Sequence, residues 1–239
     1  RVASAEASTS VHCIDACVPM ALLHGSVAAE PEAVMRFQSS CVPRLGAVRP
    51  LGLRGDVSVD RHVVTGGSGG LGLLTGRWLA QRGASELVLA SRGGTLGVDT
   101  VTEWELVCTT ASAVSLERCD TSDAAHVRRL MSLASSSEGV GHAAGVLADA
   151  IVPRQTGSGV ARVYGPKAHG AWSLHLSVVS ARLDAFALFS SVSVLLGSAG
   201  QANYAAANAC LDALARCRSS HGGACVSVQW GAWAEGGMA

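Results

Sequence analysis

Lysine is almost missing from this chain. Of its 18 basic residues, Lys167 is the only lysine. Charge is scarce altogether, at 15% of residues with a formal net charge of zero. Without a basic field the sequence offers no grip on nucleic acid or an anionic membrane surface. Aromatics are 4% of residues, too few for a base-stacking platform. The eight cysteines at 13, 17, 41, 108, 119, 210, 217 and 225 contain no C-x-x-C pair. His12, Cys13 and Cys17 can be drawn as a metal cluster, but incidental or buried thiols in a reducing compartment explain the cysteines better. No apolar run is long enough to cross a bilayer. The stretch 16–29 is broken by Pro19 and His24 and lacks a signal-peptide layout, so a cytoplasmic setting is expected. Against these shortages stand 49% hydrophobic residues and 28 glycines, a composition suited to an α/β domain with tight turns.

Residues 1–55 carry no sustained periodicity and are punctuated by Pro19, Pro31, Pro43 and Pro50. They read as a linker or the remnant of a preceding subdomain, with short helix or strand pieces. From residue 56 the pattern becomes regular and defines one unit, 56–239. Strands are predicted at 61–65, 86–91, near 113–116, at 185–189 and at 224–230. Helices are predicted at 70–82, around 99–109, at 122–134 with Asp120 or Ser122 near the cap, at 159–180 with an interruption near Gly165-Pro166, and at 201–218. A strand should also lead into His142, but only Gly139, Val140 and Gly141 precede it. Alternating strands and helices predict a Rossmann-type doubly wound parallel sheet with helices on both faces.

The glycine-rich run Thr65, Gly66, Gly67, Ser68, Gly69, Gly70, Leu71, Gly72 lies between a strand and a helix. Such a turn lets backbone approach a pyrophosphate and aims the first N–H groups of the helix at its charge. The next strand ends in Ser91-Arg92, where a guanidinium can meet a 2′-phosphate. The unit is therefore predicted to bind a dinucleotide, with NADPH preferred over NADH. Tyrosine is also rare: Tyr164 and Tyr204 are the only two. Tyr204 and Asn208 stand four apart on a predicted helix and so share a face. Ser190-Ser191 ends the apolar strand just upstream.

With those residues assembled, the segment from about 60 to 239 resembles the catalytic subdomain of the ketoreductase of modular polyketide synthases. That family has the short-chain dehydrogenase/reductase fold. The resemblance covers about three-quarters of the chain. It rests on the glycine motif, Ser91-Arg92-Gly93, Asp120, His142-Ala143-Ala144-Gly145, Pro166-Lys167, Leu188 to Ser191, and Tyr204 to Asn208. Most short-chain dehydrogenases carry a lysine four residues after the tyrosine. Here that place is Asn208 and the lysine comes from upstream, an exchange that marks the polyketide group.

The resemblance implies NADPH as cofactor, bound by residues 65–72, Ser91, Arg92, Asp120, Ala143, Ala144 and Gly145, with Lys167 and Tyr204 at its nicotinamide end. Lys167, Ser191, Tyr204 and Asn208 are the implied catalytic residues. Tyr204 would protonate the carbonyl oxygen and Ser191 would orient it. Lys167 would stabilise the phenolate, and Asn208 would fix Lys167 or a water. The implied substrate is a β-ketoacyl thioester on the phosphopantetheine arm of an acyl carrier protein, beside neighbouring synthase domains. Leu147-Ala148-Asp149 resembles the Leu-Asp-Asp motif of ketoreductases that give a D-configured hydroxyl, and Asp149 would be the stereocontrol residue. The tryptophan of the opposite class would lie near Leu196 and is missing.

Departures from the pattern are the thin strand before His142, Gly93 where the family usually has a second arginine, and an end soon after Trp233. The family continues there with a lid helix and a last strand, so the fold is expected to be truncated before both, as part of a longer protein. Two other assignments are compatible with the residues: an inactive structural remnant of a ketoreductase, or a ketoreductase of the fatty-acid synthase type.

Overall fold

The computed structural model describes residues 13–16, 32–36, 39–41, 61–231 and 233. In the first part of the chain, β1 (Cys13–Ala16) pairs parallel with β2 (Glu32–Arg36), and β2 pairs antiparallel with β3 (Ser39–Cys41). The region read as a linker or the remnant of a preceding subdomain, with short helix or strand pieces, contains this small three-stranded sheet. His12 and Cys17 of the drawn metal cluster lie outside the described residues.

The second sheet has six strands, all parallel. They are β4 (Arg61–Thr65), β5 (Glu86–Ser91), β6 (Ala113–Arg118), β7 (Gly139–His142), β8 (Ala185–Ser191) and β9 (Val226–Trp230). Their spatial order is β6-β5-β4-β7-β8-β9. The chain builds outward from β4 in one direction, then returns and builds outward in the other. The crevice between the carboxyl ends of β4 and β7 is the switch point where such sheets take ligands.

Strand residues alternate between faces. Val63, Val140, Phe186 and Leu188 face one layer of helices: α3 (Ala124–Leu133), α5 (Gly170–Ser177) and α7 (Ala202–Ser220). Val64, Leu87 and Leu89 face the other, α1 (Gly70–Gln81) and α2 (Val101–Thr110). Leu87, Leu89 and Leu188 are wholly buried, each worth about 1.5–3 kcal/mol of apolar transfer.

The thin strand is present as β7, four residues long and buried throughout. It pairs in register with both β4 and β8. Its lack of side chains has a local reason. A β-carbon at Gly139 would collide with the His62 ring on the neighbouring strand. The imidazole of His62 fills the volume that a larger residue would have occupied, and its burial pushes its pKa down.

Three helix boundaries differ from the sequence expectation. Neither Asp120 nor Ser122 caps α3. Asp123 does, its carboxylate accepting from Ala125 N at 2.7 Å. The helix expected over 159–180 starts earlier, as α4 (Gly157–Tyr164) with Thr156 as its cap. As expected, its α-helical pattern is interrupted at Gly165-Pro166. Residues Gly165–His169 form a π turn that runs directly into α5. A short helix, α6 (Ser193–Leu196), intervenes before α7. β-carbons at Gly165 and Gly170 would lie 2.8 Å from Ser122 Oγ and 2.9 Å from Thr121 Cβ. Thr121 Oγ1 also donates to Pro166 O at 2.9 Å. The wide turn is thus fastened to the loop after β6. Single π turns commonly sit at functional sites, and this one carries Lys167.

Candidate active site

At the glycine turn, Gly66 has φ +74, and a β-carbon there would lie 2.7 Å from Ala143 C. A β-carbon at Gly72 would strike Gly66 O. The turn is therefore folded so tightly that only hydrogen fits at these two places. Helix α1 begins with Gly69 as cap, no side chain bonds its first N–H groups, and no acidic residue stands in its first turn. Its amino end is left for an anion from outside. Ser68 and Gly70 complete the entry into the helix, and Leu71 faces the adjoining cleft.

A cavity of about 330 Å³ opens beside Gly66, lined by Arg92, Asp120, Ala144, Gly145 and Arg162. Asp120 Oδ1 accepts from Ser122 N at 2.9 Å, which sets the loop that packs on the π turn. Ser91 Oγ accepts from Gly94 N at 3.2 Å, holding the turn that presents Arg92. Arg92 is exposed and so is free of the constraint that burial would impose. Arg162 was not anticipated. It lies on the helix Gly157–Tyr164, and only the fold sets it on the same cavity as Arg92.

A second cavity, about 350 Å³, is lined by Lys167, Ser191 and Tyr204 together with Leu71, Ala143 and Leu196. Three residues separated by up to 37 positions thus share one cleft. Ser191 ends β8, its Oγ accepting from Ser193 N at 3.2 Å. Tyr204 stands in the first turn of α7 and is nearly buried. Burial raises its pKa most. The hydrogen-bonding influence of Asn208 and Ser191 pulls it back, and the charge of Asp149 adds to the rise.

Lys167 is 2% exposed and donates from Nζ to Phe189 O at 2.8 Å. Nζ lies 5.2 Å from the centroid of the Tyr204 ring. Desolvation lowers its pKa to about 8, opposed by the carboxylate of Asp212. Asp212 was not anticipated either. It accepts from Ser227 Oγ at 2.5 Å and Gln229 Nε2 at 2.7 Å. Of the two roles expected of Asn208, a direct bond from its amide to the Lys167 ammonium is not made, which leaves the holding of a water. Its Nδ2 donates to Tyr204 O at 2.9 Å, one turn back along α7, and its buried Oδ1 has no partner. The ammonium is held by the Phe189 carbonyl instead.

Asp149 accepts from Gln201 Nε2 at 3.1 Å, and Asn203 Nδ2 donates to Ala148 O at 2.7 Å. The segment 147–149 is thereby tied to the entry of α7, just before Tyr204. Leu196, 68% exposed, lines the same cleft as Leu147. Trp230 and Trp233 also line this cleft, their rings 5.6 Å apart.

No ligand is needed to judge the fit of a dinucleotide. The cradle where β-carbons at 66 and 72 would intrude, the uncapped helix end and the paired arginines match its pyrophosphate and phosphate groups. No cluster of side chains able to hold a metal occurs among the described residues. Fold and site together define a dinucleotide-binding α/β domain of the short-chain dehydrogenase/reductase kind.

The chain belongs to the ketoreductase (KR domain) family, whose model matches residues 61–235. It is 48% identical over 198 residues to polyketide synthase GfsB of Streptomyces halstedii, covering 80% of this chain and 4% of that protein. To the phthioceranic/hydroxyphthioceranic acid synthase of Mycobacterium tuberculosis (strain H37Rv) it is 39% identical over 182 residues, covering 74% of this chain and 8% of that protein. The chain thus spans a small fraction of these relatives. Among solved structures it resembles an A-type ketoreductase from a modular polyketide synthase. The TM-score is 0.76 at 35% identity, with 87% of this chain and 46% of that one covered. It also resembles PlmKR1, the ketoreductase from the first module of phoslactomycin biosynthesis in Streptomyces sp. HK803. That match has a TM-score of 0.71 at 37% identity, covering 75% and 43% of the two chains. The chain is a ketoreductase domain of the polyketide synthase kind.

Proposed function

We propose that this domain reduces the β-keto group of an acyl thioester to a D-configured β-hydroxyl, using NADPH. The substrate arrives on the phosphopantetheine arm of an acyl carrier protein and passes on to neighbouring synthase domains. Residues 56–239 form the catalytic subdomain, and 1–55 belong to what precedes it. The observation that carries the proposal is the meeting of Lys167, Ser191 and Tyr204 in one cleft beside the glycine turn.

Residues 65–72 and 143–145 hold the pyrophosphate region, Asp120 the adenosine end, and Arg92 with Arg162 the 2′-phosphate. When bound, the nicotinamide supplies hydride to the β-carbon. Ser191 hydrogen-bonds the carbonyl oxygen and fixes its direction. Tyr204 gives that oxygen its proton, having been kept a phenol by burial. The Lys167 ammonium stabilises the phenolate that remains. Its pKa of about 8 keeps it mostly charged at neutral pH. Leu147 and Leu196 both line the cleft, Asp149 holds the 147–149 segment at the entry of α7, and the shape these residues give the cleft selects the carbonyl face.

The test is turnover of a β-ketoacyl thioester by the wild-type protein with NADPH, followed by chiral chromatography of the product. A D-hydroxy product is expected. An L-hydroxy product would overturn the stereochemical assignment, and absence of reduction would make the domain a structural remnant.

A further inference from the structure

His142 is wholly buried and faces neither cavity, yet both of its ring nitrogens are engaged. Nδ1 lies 2.7 Å from Thr65 Oγ1, and Nε2 lies 2.9 Å from Lys167 O. A carbonyl only accepts, so Nε2 carries the proton. Nδ1 is then a lone pair, and the Thr65 hydroxyl donates to it. Thr65 ends β4 and opens the glycine turn. Lys167 sits in the π turn. The imidazole therefore joins the strand of the dinucleotide turn to the backbone of the residue that carries the ammonium.

We propose that His142, tied through Nδ1 to Thr65 and donating from Nε2 to the Lys167 carbonyl, is a positioning residue that anchors the Lys167 backbone to the sheet and thereby keeps its ammonium beside Tyr204. Its consequence for catalysis rests on the ketoreductase reading above; the anchoring itself does not. The ring suits the task because it spans two acceptor and donor sites in fixed directions and stays uncharged. Burial holds its pKa down at about 4, so it places no second cation next to Lys167. A residue that only filled this volume would need no hydrogen bond to Lys167 O.

Lys167 is the only lysine in the chain. Protein grown with lysine labelled at 13Cε and 15Nζ therefore gives a single side-chain signal by NMR. Three variants discriminate. His142→Phe keeps the volume and removes both bonds; the Lys167 signal should move and its titration should rise from near 8 toward the ordinary lysine value. His142→Gln retains an N–H for the same carbonyl and should keep the signal near its wild-type position. In Thr65→Val the imidazole loses its donor, but the Lys167 carbonyl still accepts only from an N–H, so 15N-histidine spectra should show the Nε2–H tautomer retained. In turnover, His142→Phe should lower kcat by up to roughly a hundredfold, the scale of an ångström misplacement. KM should stay unchanged, and Gln should restore most of the rate. An unshifted Lys167 signal in folded His142→Phe overturns the proposal. So does an Nδ1–H tautomer in the wild type or in Thr65→Val, and the wild-type spectrum decides the matter alone if the Phe variant does not fold. A wild-type protein without turnover refutes the ketoreductase reading, while the Lys167 signal still decides the anchoring.

Discussion

Acid should destabilise this protein through His142. An exposed histidine titrates near 6.5, whereas the buried ring in the folded state does so at about 4. Between these values the unfolded chain binds a proton that the folded one refuses. Stability therefore rises with pH across the window. The contribution is complete above 6.5, shrinks as pH falls, and is fully lost near 4. At about 1.4 kcal/mol per pH unit, the gap between 6.5 and about 4 amounts to about 3 kcal/mol. That is a large share of the 5–15 kcal/mol typical of a domain. Urea unfolding followed by circular dichroism at half-unit pH steps, in wild type and His142→Gln, isolates the effect. His62 and His175 are shifted in the same direction and Asp123 is held low, but they are common to both proteins and cancel. The wild type should lose about 3 kcal/mol more than the variant between pH 6.5 and 4. Parallel curves would show that the ring is not held neutral.

Further outcomes follow from the same geometry. Arg92→Ala and Arg162→Ala should each weaken NADPH binding by about tenfold and leave NADH binding unchanged, the scale of one charge-assisted hydrogen bond; equal losses for both coenzymes would move the 2′-phosphate elsewhere. Gly72→Ala forces a methyl against Gly66 O and should cost about 1–3 kcal/mol of stability along with dinucleotide affinity. Calorimetry and fluorescence titration would read both, and unchanged values would mean the turn is looser than described. Turnover should decline as pH rises through about 8, where Lys167 loses its proton while burial keeps the Tyr204 phenol intact. Lys167→Arg, if active, should push that decline to higher pH, and an unmoved limb would assign it to another group.

Much of the sheet was legible because its signals are local. Apolar runs such as 185–189 and the glycine turn fix their own conformation, and the six strands fell where the pattern put them. The site was legible in its residue types, since a lone lysine and two tyrosines stand out against this composition. What escaped depends on distant partners. Gly165-Pro166 signals a break in the helix but not its form; the break takes the shape of a π turn whose Pro166 and Lys167 carbonyls are taken up by Thr121 and His142. Asp212 looks like an ordinary helix residue until β9 brings Ser227 and Gln229 to it. The thin strand looked like a defect because the imidazole that replaces its missing side chains lies 77 residues earlier, on β4.

The most direct test is a double-mutant cycle on kcat/KM for β-ketoacyl thioester reduction, using Tyr204→Phe, Lys167→Met and the combination. If the ammonium acts through the phenol 5.2 Å away, the double variant should be no slower than Tyr204→Phe alone. Losses that multiply would mean the two groups serve separate tasks and would contradict the site described.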